Sequence, residues 1–315
     1  MSADVIVVGG GVIGLTTAVV LAERGERVRV WARNPAAETT SAVAGALFWP
    51  YRIEPRLLVG AWSLRSLDAY VPLAQDPVAT GVRMVPGVMA GTSPAALGEW
   101  SRRLTGLREA RPGELPPGFA PGLRATVPLL DMPVHLRYLS ERLEGAGGVV
   151  ERRDVSDLQE PLNEARTVVN CTGLGARSLV PDPSVRPVRG QLVVVENPGI
   201  DEWFVATESP TETTYVFPQP YGVILGGTAH EDSWERTPDP AMAAAIVKRC
   251  SRIHPGLADA RVLAHRVGLR PARHAVRIER QRMAGGGLLV HNYGHGGAGV
   301  TVAWGCADTA AGLVP

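Results

Sequence analysis

The start of the chain constrains the fold most. Asp4-Val5-Ile6-Val7-Val8 is an apolar run that leads into Gly9-Gly10-Gly11-Val12-Ile13-Gly14, and Leu15 to Glu23 then reads as a helix closed by Gly25. Such a run fits a parallel strand buried on both faces, and a glycine just past a helix fits its C-terminal cap. Strand, G-x-G-x-x-G turn and helix in this order form the dinucleotide-binding fingerprint in the context it requires. The glycines permit a tight turn and let a pyrophosphate approach the helix N-terminus, where unpaired N–H groups and the dipole favour an anion. Val28-Arg29-Val30-Trp31 supplies the next strand.

One part of the fingerprint is missing. An acidic residue normally closes the second strand and accepts from ribose hydroxyls, whereas Ala32 and Arg33 stand here. An arginine at that place can face a 2′-phosphate instead, so an NADP-dependent reductase stays open as an alternative at this point.

Composition narrows the class. A length of 315 residues allows two domains or one elaborate one. A net charge of +1 gives no electrostatic case for nucleic acid. No apolar run reaches the length of a membrane-spanning helix, and the chain enters its first strand at once, leaving no room for a signal peptide. A cytoplasmic protein with no membrane partner is expected. Cys171, Cys250 and Cys306 show neither C-x-x-C nor metal-ligand spacing, so no metal site is expected. They read as small buried hydrophobes, and a Cys250–Cys306 disulfide is disfavoured in a reducing compartment.

Further along, Thr39-Thr40-Ser41 leads into Ala44-Gly45-Ala46, a small and polar stretch suited to a loop beside phosphates or a ring. Phe48-Trp49-Pro50-Tyr51 is an aromatic cluster that suits packing as well as a site. Helices are predicted over 62–71, 133–144 and 241–250. Residues 82–130 read as short strands and loops, with an exposed Pro-rich connection at 111–121. Val149 to Glu151 and Thr167 to Asn170 read as strands, the latter ending in Cys171-Thr172-Gly173. Gln191 to Glu196, Thr213 to Pro218 and Val223 to Gly226 read as antiparallel strands of another sheet. The expected architecture is therefore α/β. An interrupted Rossmann-like domain takes residues 1–50, 131–185 and 264–315, and a mixed or antiparallel substrate domain takes 51–130 and 186–263.

Leu288-Leu289-Val290 reads as a buried strand leading into His291-Asn292-Tyr293-Gly294-His295-Gly296-Gly297-Ala298-Gly299. Four glycines within six residues are poor helix or strand material. Such a cluster usually aims backbone amides at a ligand. Gly305-Cys306-Ala307 follows.

This run resembles the signature of the D-amino-acid oxidase family. Gly9 to Gly14, Val169 to Gly173, Arg189-Gly190-Gln191 and Gly268-Leu269-Arg270-Pro271-Ala272-Arg273 accompany it in the family's order. The resemblance spans nearly the whole chain. It implies non-covalent FAD and oxidative deamination of neutral D-amino acids to 2-oxo acids, ammonia and hydrogen peroxide, by hydride transfer from Cα to FAD with oxygen as acceptor. A glycine, sarcosine or D-aspartate oxidase of the same fold is the alternative. The family also tolerates a basic residue at Arg33, which weakens the NADP reading.

The resemblance implies site residues as well. Arg270 would bind the substrate carboxylate, Tyr215 would support that carboxylate, and the Gly297 carbonyl would receive the amine. FAD contacts are implied at Gly9, Gly11, Val12, Ile13, Gly14, Arg33, Thr40, Ser41, Gly45, Ala46, Val155, Cys171, Thr172, Gly173, Gly294, Gly296, Gly299, Val300 and Thr301. Amides at the start of the helix holding Thr301 would face the flavin edge, where negative charge gathers on reduction. Arg277 would support the flavin, and His291 and His295 would be structural or flavin-adjacent.

Two departures from the family stand out. The stretch from Ala206 to Thr214 is short and carries no lid tyrosine, and Trp49 replaces a smaller polar residue. No arginine lies between Arg189 and Arg236, which favours neutral substrates. The family is often dimeric, so a homodimer is the assembly to expect.

Overall fold

The computed structural model describes residues 4–207, 209 and 212–315. Fourteen strands are present among the described residues. The first seven are β1 (Val5–Val8), β2 (Val28–Ala32), β3 (Val82–Ala90), β4 (Thr105–Glu109), β5 (Gly122–Leu130), β6 (Val149–Arg152) and β7 (Thr167–Asn170). The remaining seven are β8 (Arg186–Val195), β9 (Trp203–Thr207), β10 (Glu212–Gln219), β11 (Gly222–Thr228), β12 (His230–Glu231), β13 (Val262–Arg282) and β14 (Leu288–His295). They join in one sheet of order β4-β5-β3-β9-β10-β11-β8-β13-β14-β7-β1-β2-β6, with β12 on β8.

The two ends of the sheet differ in kind. β14, β7, β1, β2 and β6 run parallel to one another, the half that helices must cover on both faces. From β13 to β9 every pairing is antiparallel. β13 joins the halves: Val262 to Ala272 pairs with β8, and Ala272 to Arg282 pairs with β14.

The N-terminal strand, turn and helix form as predicted, the helix spanning Val12–Glu23. It packs between the closing helix Gly299–Ala311 and the helix Met132–Gly145. Close packing explains Gly14: a Cβ there would lie 1.8 Å from the Gly9 carbonyl oxygen. Gly305 likewise lets the closing helix press on Trp62, where a Cβ would come within 2.3 Å of the Trp62 Cα.

Two expectations are corrected. Residues 82–130 hold two nine-residue strands, β3 and β5, paired along their whole length. Pro86 and Gly87 interrupt the strand pattern in sequence. Gly87 sits there because the Trp203 side chain and backbone occupy the space of a Cβ, 2.1 Å from the Trp203 carbonyl oxygen. In the C-terminal motif the strand continues to His295 rather than ending at Val290. Pairing with β7 on one side and β13 on the other overrides the weak propensity of its residues. Gly294 and Gly296, with φ of 89° and 55°, then turn the chain into the closing helix.

Cys171, Cys250 and Cys306 are buried free thiols. Cys250 lies under the antiparallel sheet and Cys306 beside Val302 and Trp62, so they do not pair.

Candidate active site

A cavity of about 910 Å³ runs across the carboxyl ends of β1 and β7 and on to the cavity face of β8, β10 and β11. That is at the upper end of the range for small-molecule sites. Its walls include Gly9, Gly11, Val12, Ile13, Arg33, Thr40, Ser41, Gly45, Ala46, Val155, Cys171, Thr172, Gly173, Gly296, Gly299 and Val300. Tyr215, Arg270 and Gly297 line it too. Segments far apart in sequence therefore meet around one space.

The β1 end is built for an anion. Gly9 has a φ of 122°, and a Cβ there would lie 2.4 Å from the Cys171 carbonyl oxygen, so only glycine fits. The Val12–Glu23 helix has no side-chain cap from Gly11 and no acidic residue in its first turn. Its Val12 N–H donates to Ser41 Oγ at 3.0 Å. That bond ties the Thr40–Val43 turn to the helix start. Asn170 shapes the opposite lip, accepting from the Thr172 N–H at 3.2 Å and from the Thr172 hydroxyl at 2.7 Å.

Arg33 pairs with Asp154 at 2.7 Å, and both side chains are about two-thirds exposed at 69% and 66%. The sequence shows no acid closing β2, but the fold delivers Asp154 from beyond β6, and Glu38 also lines this end. Neither was visible as a site residue, because neither sits at the fingerprint position. With its guanidinium already on a carboxylate, Arg33 is not set up as a phosphate clamp.

At the other end, Arg270 lies half-buried and donates from Nη1 to the Thr228 carbonyl at 2.9 Å. It has no acidic partner among the described residues. Tyr215 reaches the same place from β10, its ring stacked on Phe217 at 4.6 Å between centroids. Burial raises the Tyr215 pKa above its ordinary value, while the nearby Arg270 charge opposes the shift. Gly226 makes room for this ring, since a Cβ there would lie 1.9 Å from the Tyr215 Cζ. Gly297 is wedged between Tyr51 and Arg270, a Cβ coming within 3.0 Å of Tyr51 Cδ1 and 3.4 Å of Arg270 Cδ.

Three expected contacts fall behind the cavity wall. Gly14 serves helix-to-strand packing. Gly294 turns the chain against Arg273, with a Cβ 2.9 Å from that side chain's own Cβ. Thr301 is buried, and its hydroxyl is spent on the backbone of Trp49.

Arg277 also departs from expectation. Its Nη1 donates to the Tyr293 hydroxyl at 2.6 Å and its Nε to Glu279 at 2.7 Å. It does not line the cavity and instead joins a polar cluster around Asp182. That carboxylate accepts from Tyr293 at 2.8 Å and from Arg273 at 2.9 Å. Burial opposes ionisation there, but bonds from Ser184, Tyr293 and Arg273 outweigh it and hold the carboxyl well below the usual range.

His291 is buried against Asn170. His295 lines the cavity with its Nε2 buried and without a hydrogen-bond partner among the described residues. Burial lowers the His295 pKa to about 3, so the ring is neutral. The aromatic cluster divides: Phe48 is core, while Trp49 and Tyr51 face the cavity. Arg52, Trp234 and Arg236 are wall residues that no sequence pattern marked. Arg52 holds a φ of 46°, unusual for a residue with a side chain.

Of the short stretch from Ala206 to Thr214, Glu208, Pro210 and Thr211 lie outside the described residues. Among the described residues, no group of three or more His, Cys, Asp or Glu could hold a metal ion, and no helix is long and apolar enough to cross a membrane.

A dinucleotide turn, a cavity leading away from it and, at the far end, an arginine with no acidic partner among the described residues define a cofactor-dependent oxidoreductase. The chain belongs to the FAD dependent oxidoreductase family, whose model matches residues 4–313. It is 62% identical over 312 residues to a D-amino-acid oxidase of Streptomyces coelicolor, covering 98% of this chain and 96% of the relative. It is 49% identical over 313 residues to a D-amino-acid oxidase of Rubrobacter xylanophilus, covering 99% of this chain and 95% of the relative. Its fold is similar to that of glycine oxidase from Geobacillus kaustophilus, with a TM-score of 0.82 at 20% identity, covering 99% of this chain and 94% of the other.

Proposed function

We propose that the protein is an FAD-dependent oxidase of neutral D-amino acids, yielding a 2-oxo acid, ammonia and hydrogen peroxide. The observation that carries this reading is Arg270, a half-buried cation on the cavity wall that donates to a backbone carbonyl and has no acid beside it among the described residues. A guanidinium in that setting favours a carboxylate, which it can take with two parallel bonds.

The residues fit FAD. The glycine cradle at Gly9 and Gly11 and the helix start at Val12, with no side-chain cap from Gly11 and no acidic residue in its first turn, suit a pyrophosphate. The Nε2 of His295, buried and unpartnered among the described residues, leaves a polar atom for a bound ring system to complete. FAD, when bound, supplies the two-electron acceptor that the protein's own side chains lack.

The protein's task is then positioning. Arg270 and Tyr215 fix the carboxylate, and the Gly297 backbone lies beside them to accept a hydrogen bond from the amine. These residues hold two substituents of Cα, and the cavity wall that receives the side chain supplies the third point needed to select its hand and aim its C–H bond. His295, being neutral and buried, is suited to shaping the wall rather than moving protons.

The acidic-substrate alternative gains two wall arginines, Arg52, whose guanidinium lies 5.2 Å from the Tyr51 ring centroid, and Arg236. Bulky Trp49 on the wall nevertheless differs from what a pocket for larger side chains needs. A homodimer remains our expectation from the family resemblance. Cytoplasmic location is our reading too, supported by three free thiols of the kind a reducing compartment maintains.

The test is oxygen uptake by the purified protein on D-alanine, L-alanine, glycine and D-aspartate. Uptake on D-alanine with peroxide formed in equal amount is expected, and none on L-alanine. Faster turnover of glycine or D-aspartate would overturn the substrate assignment.

A further inference from the structure

Arg189-Gly190-Gln191 lies on β8, next to the site, without a role in binding so far. The run works on both faces of its strand. On the back face the Arg189 side chain donates to the carbonyls of Glu235 and Thr237 at 3.0 and 2.7 Å, and the Gln191 amide donates to the Asp239 carbonyl at 2.8 Å. These bonds hold the segment that carries Trp234 and Arg236 to the cavity wall. Gly190 faces the cavity itself.

Nothing about the backbone asks for glycine at this position. Gly190 has no positive φ and sits inside a regular ladder opposite Gly268, where glycine weakens a strand and usually marks a close approach. The approaching group is the Arg270 guanidinium. A Cβ at residue 190 would lie 2.5 Å from both terminal nitrogens and 2.6 Å from Cζ. The same guanidinium also donates from Nη1 to the Thr228 carbonyl. Thr228 is in turn fixed to β8, because its hydroxyl accepts the Gln191 N–H at 3.0 Å.

We propose that Gly190 is a positioning residue for substrate binding: its bare backbone is the floor on which the Arg270 guanidinium lies, and this sets the height at which a carboxylate is held. A methyl group there meets the far end of a flexible side chain, not rigid backbone. The guanidinium is therefore displaced while the sheet stays intact, and the consequence falls on ligand affinity rather than on folding. The inference rests on the reading of Arg270 as the carboxylate clamp.

The test is a double-mutant cycle on the flavin-loaded protein, with Gly190→Ala, Arg270→Ala and the pair. The readouts are benzoate affinity from the absorbance of bound flavin, KM and kcat for D-alanine, flavin content and thermal unfolding. Gly190→Ala is expected to raise the benzoate Kd and the D-alanine KM by about tenfold, with a smaller change in kcat and with flavin content and unfolding near wild type. In the Arg270→Ala background the same substitution is expected to add nothing, because the group it displaces is gone. Unchanged affinity in Gly190→Ala, or an equal loss in both backgrounds, would overturn the proposal. If Gly190→Ala does not fold, the pair decides: recovery of folded, yellow protein supports the clash with Arg270, and failure to recover refutes it. If Arg270→Ala alone binds benzoate like wild type, the clamp reading itself fails, separately from the role of Gly190.

Discussion

Thr301 Oγ1 clasps both polar groups of the Trp49 backbone, accepting its N–H at 3.0 Å and donating to its C=O at 2.9 Å. One hydroxyl at the start of the closing helix thus fixes the cavity loop that carries Trp49 and Tyr51. The Trp49 ring is held in turn by Trp100, edge-on at 5.3 Å between centroids.

Thr301→Val keeps the shape and removes both bonds, leaving the two backbone groups of Trp49 without their partner. The expected loss is about 1–3 kcal/mol of stability, measured by chemical denaturation. Thr301→Ser, which keeps the hydroxyl, should recover most of it. Equal losses in the two variants would mean that the methyl group, not the hydroxyl, holds the loop.

The Asp182 cluster should be costly to break. Asp182 and Arg273 are buried together at 8% and 16% side-chain exposure. Asp182→Asn leaves the arginine without its counter-charge, at an expected cost of about 3–5 kcal/mol. A denaturation midpoint like that of wild type would show that the cluster contributes no stability.

Acid should destabilise the protein before its carboxylates titrate. Burial lowers His135 and His295 to about 4 and about 3, with the bond to the Thr80 carbonyl opposing at His135. Above pH ~6.5 both rings are neutral folded or unfolded, so they add no pH dependence. As pH falls below that value the unfolded chain takes up protons and the folded chain does not. Stability then drops by about 1.4 kcal/mol per pH unit for each histidine, and the slope ends once pH passes the folded values. Denaturation at a series of pH values checks this, and His295→Gln should flatten the slope by one proton. A flat profile between neutrality and pH ~4 would contradict it.

Arg33 should matter little to the cofactor. It is exposed and paired with Asp154, and such pairs are worth about 0–1 kcal/mol. Arg33→Ala is expected to change the FAD dissociation constant less than about fivefold, and NADP should not raise the thermal midpoint of the wild-type protein. Stabilisation by NADP that is lost in Arg33→Ala would restore the 2′-phosphate reading.

Much of this architecture is legible in the chain because it depends on local rules. The N-terminal strand, glycine turn and helix follow from periodicity and from φ > 0 at Gly9. What escapes is set by distant partners. β14 forms through a glycine-rich run because two neighbouring strands pair with it, and β3 extends through Pro86 and Gly87 because Trp203 fills the space beside it. The site divides the same way. Arg270, Tyr215 and Gly297 could be placed by resemblance and do converge on one cavity. Thr301 and Arg277 sit beside that cavity in sequence, yet their side chains serve Trp49 and Tyr293. Side-chain direction across a sheet or helix face decides between those outcomes, and spacing alone does not specify it.

The central claim is tested most directly by anaerobic reduction of the bound flavin. D-alanine should bleach the yellow protein, L-alanine should not, and admitting air should restore the colour with release of hydrogen peroxide. Bleaching by L-alanine, or a flavin that stays oxidised with every neutral D-amino acid tried, would contradict the account.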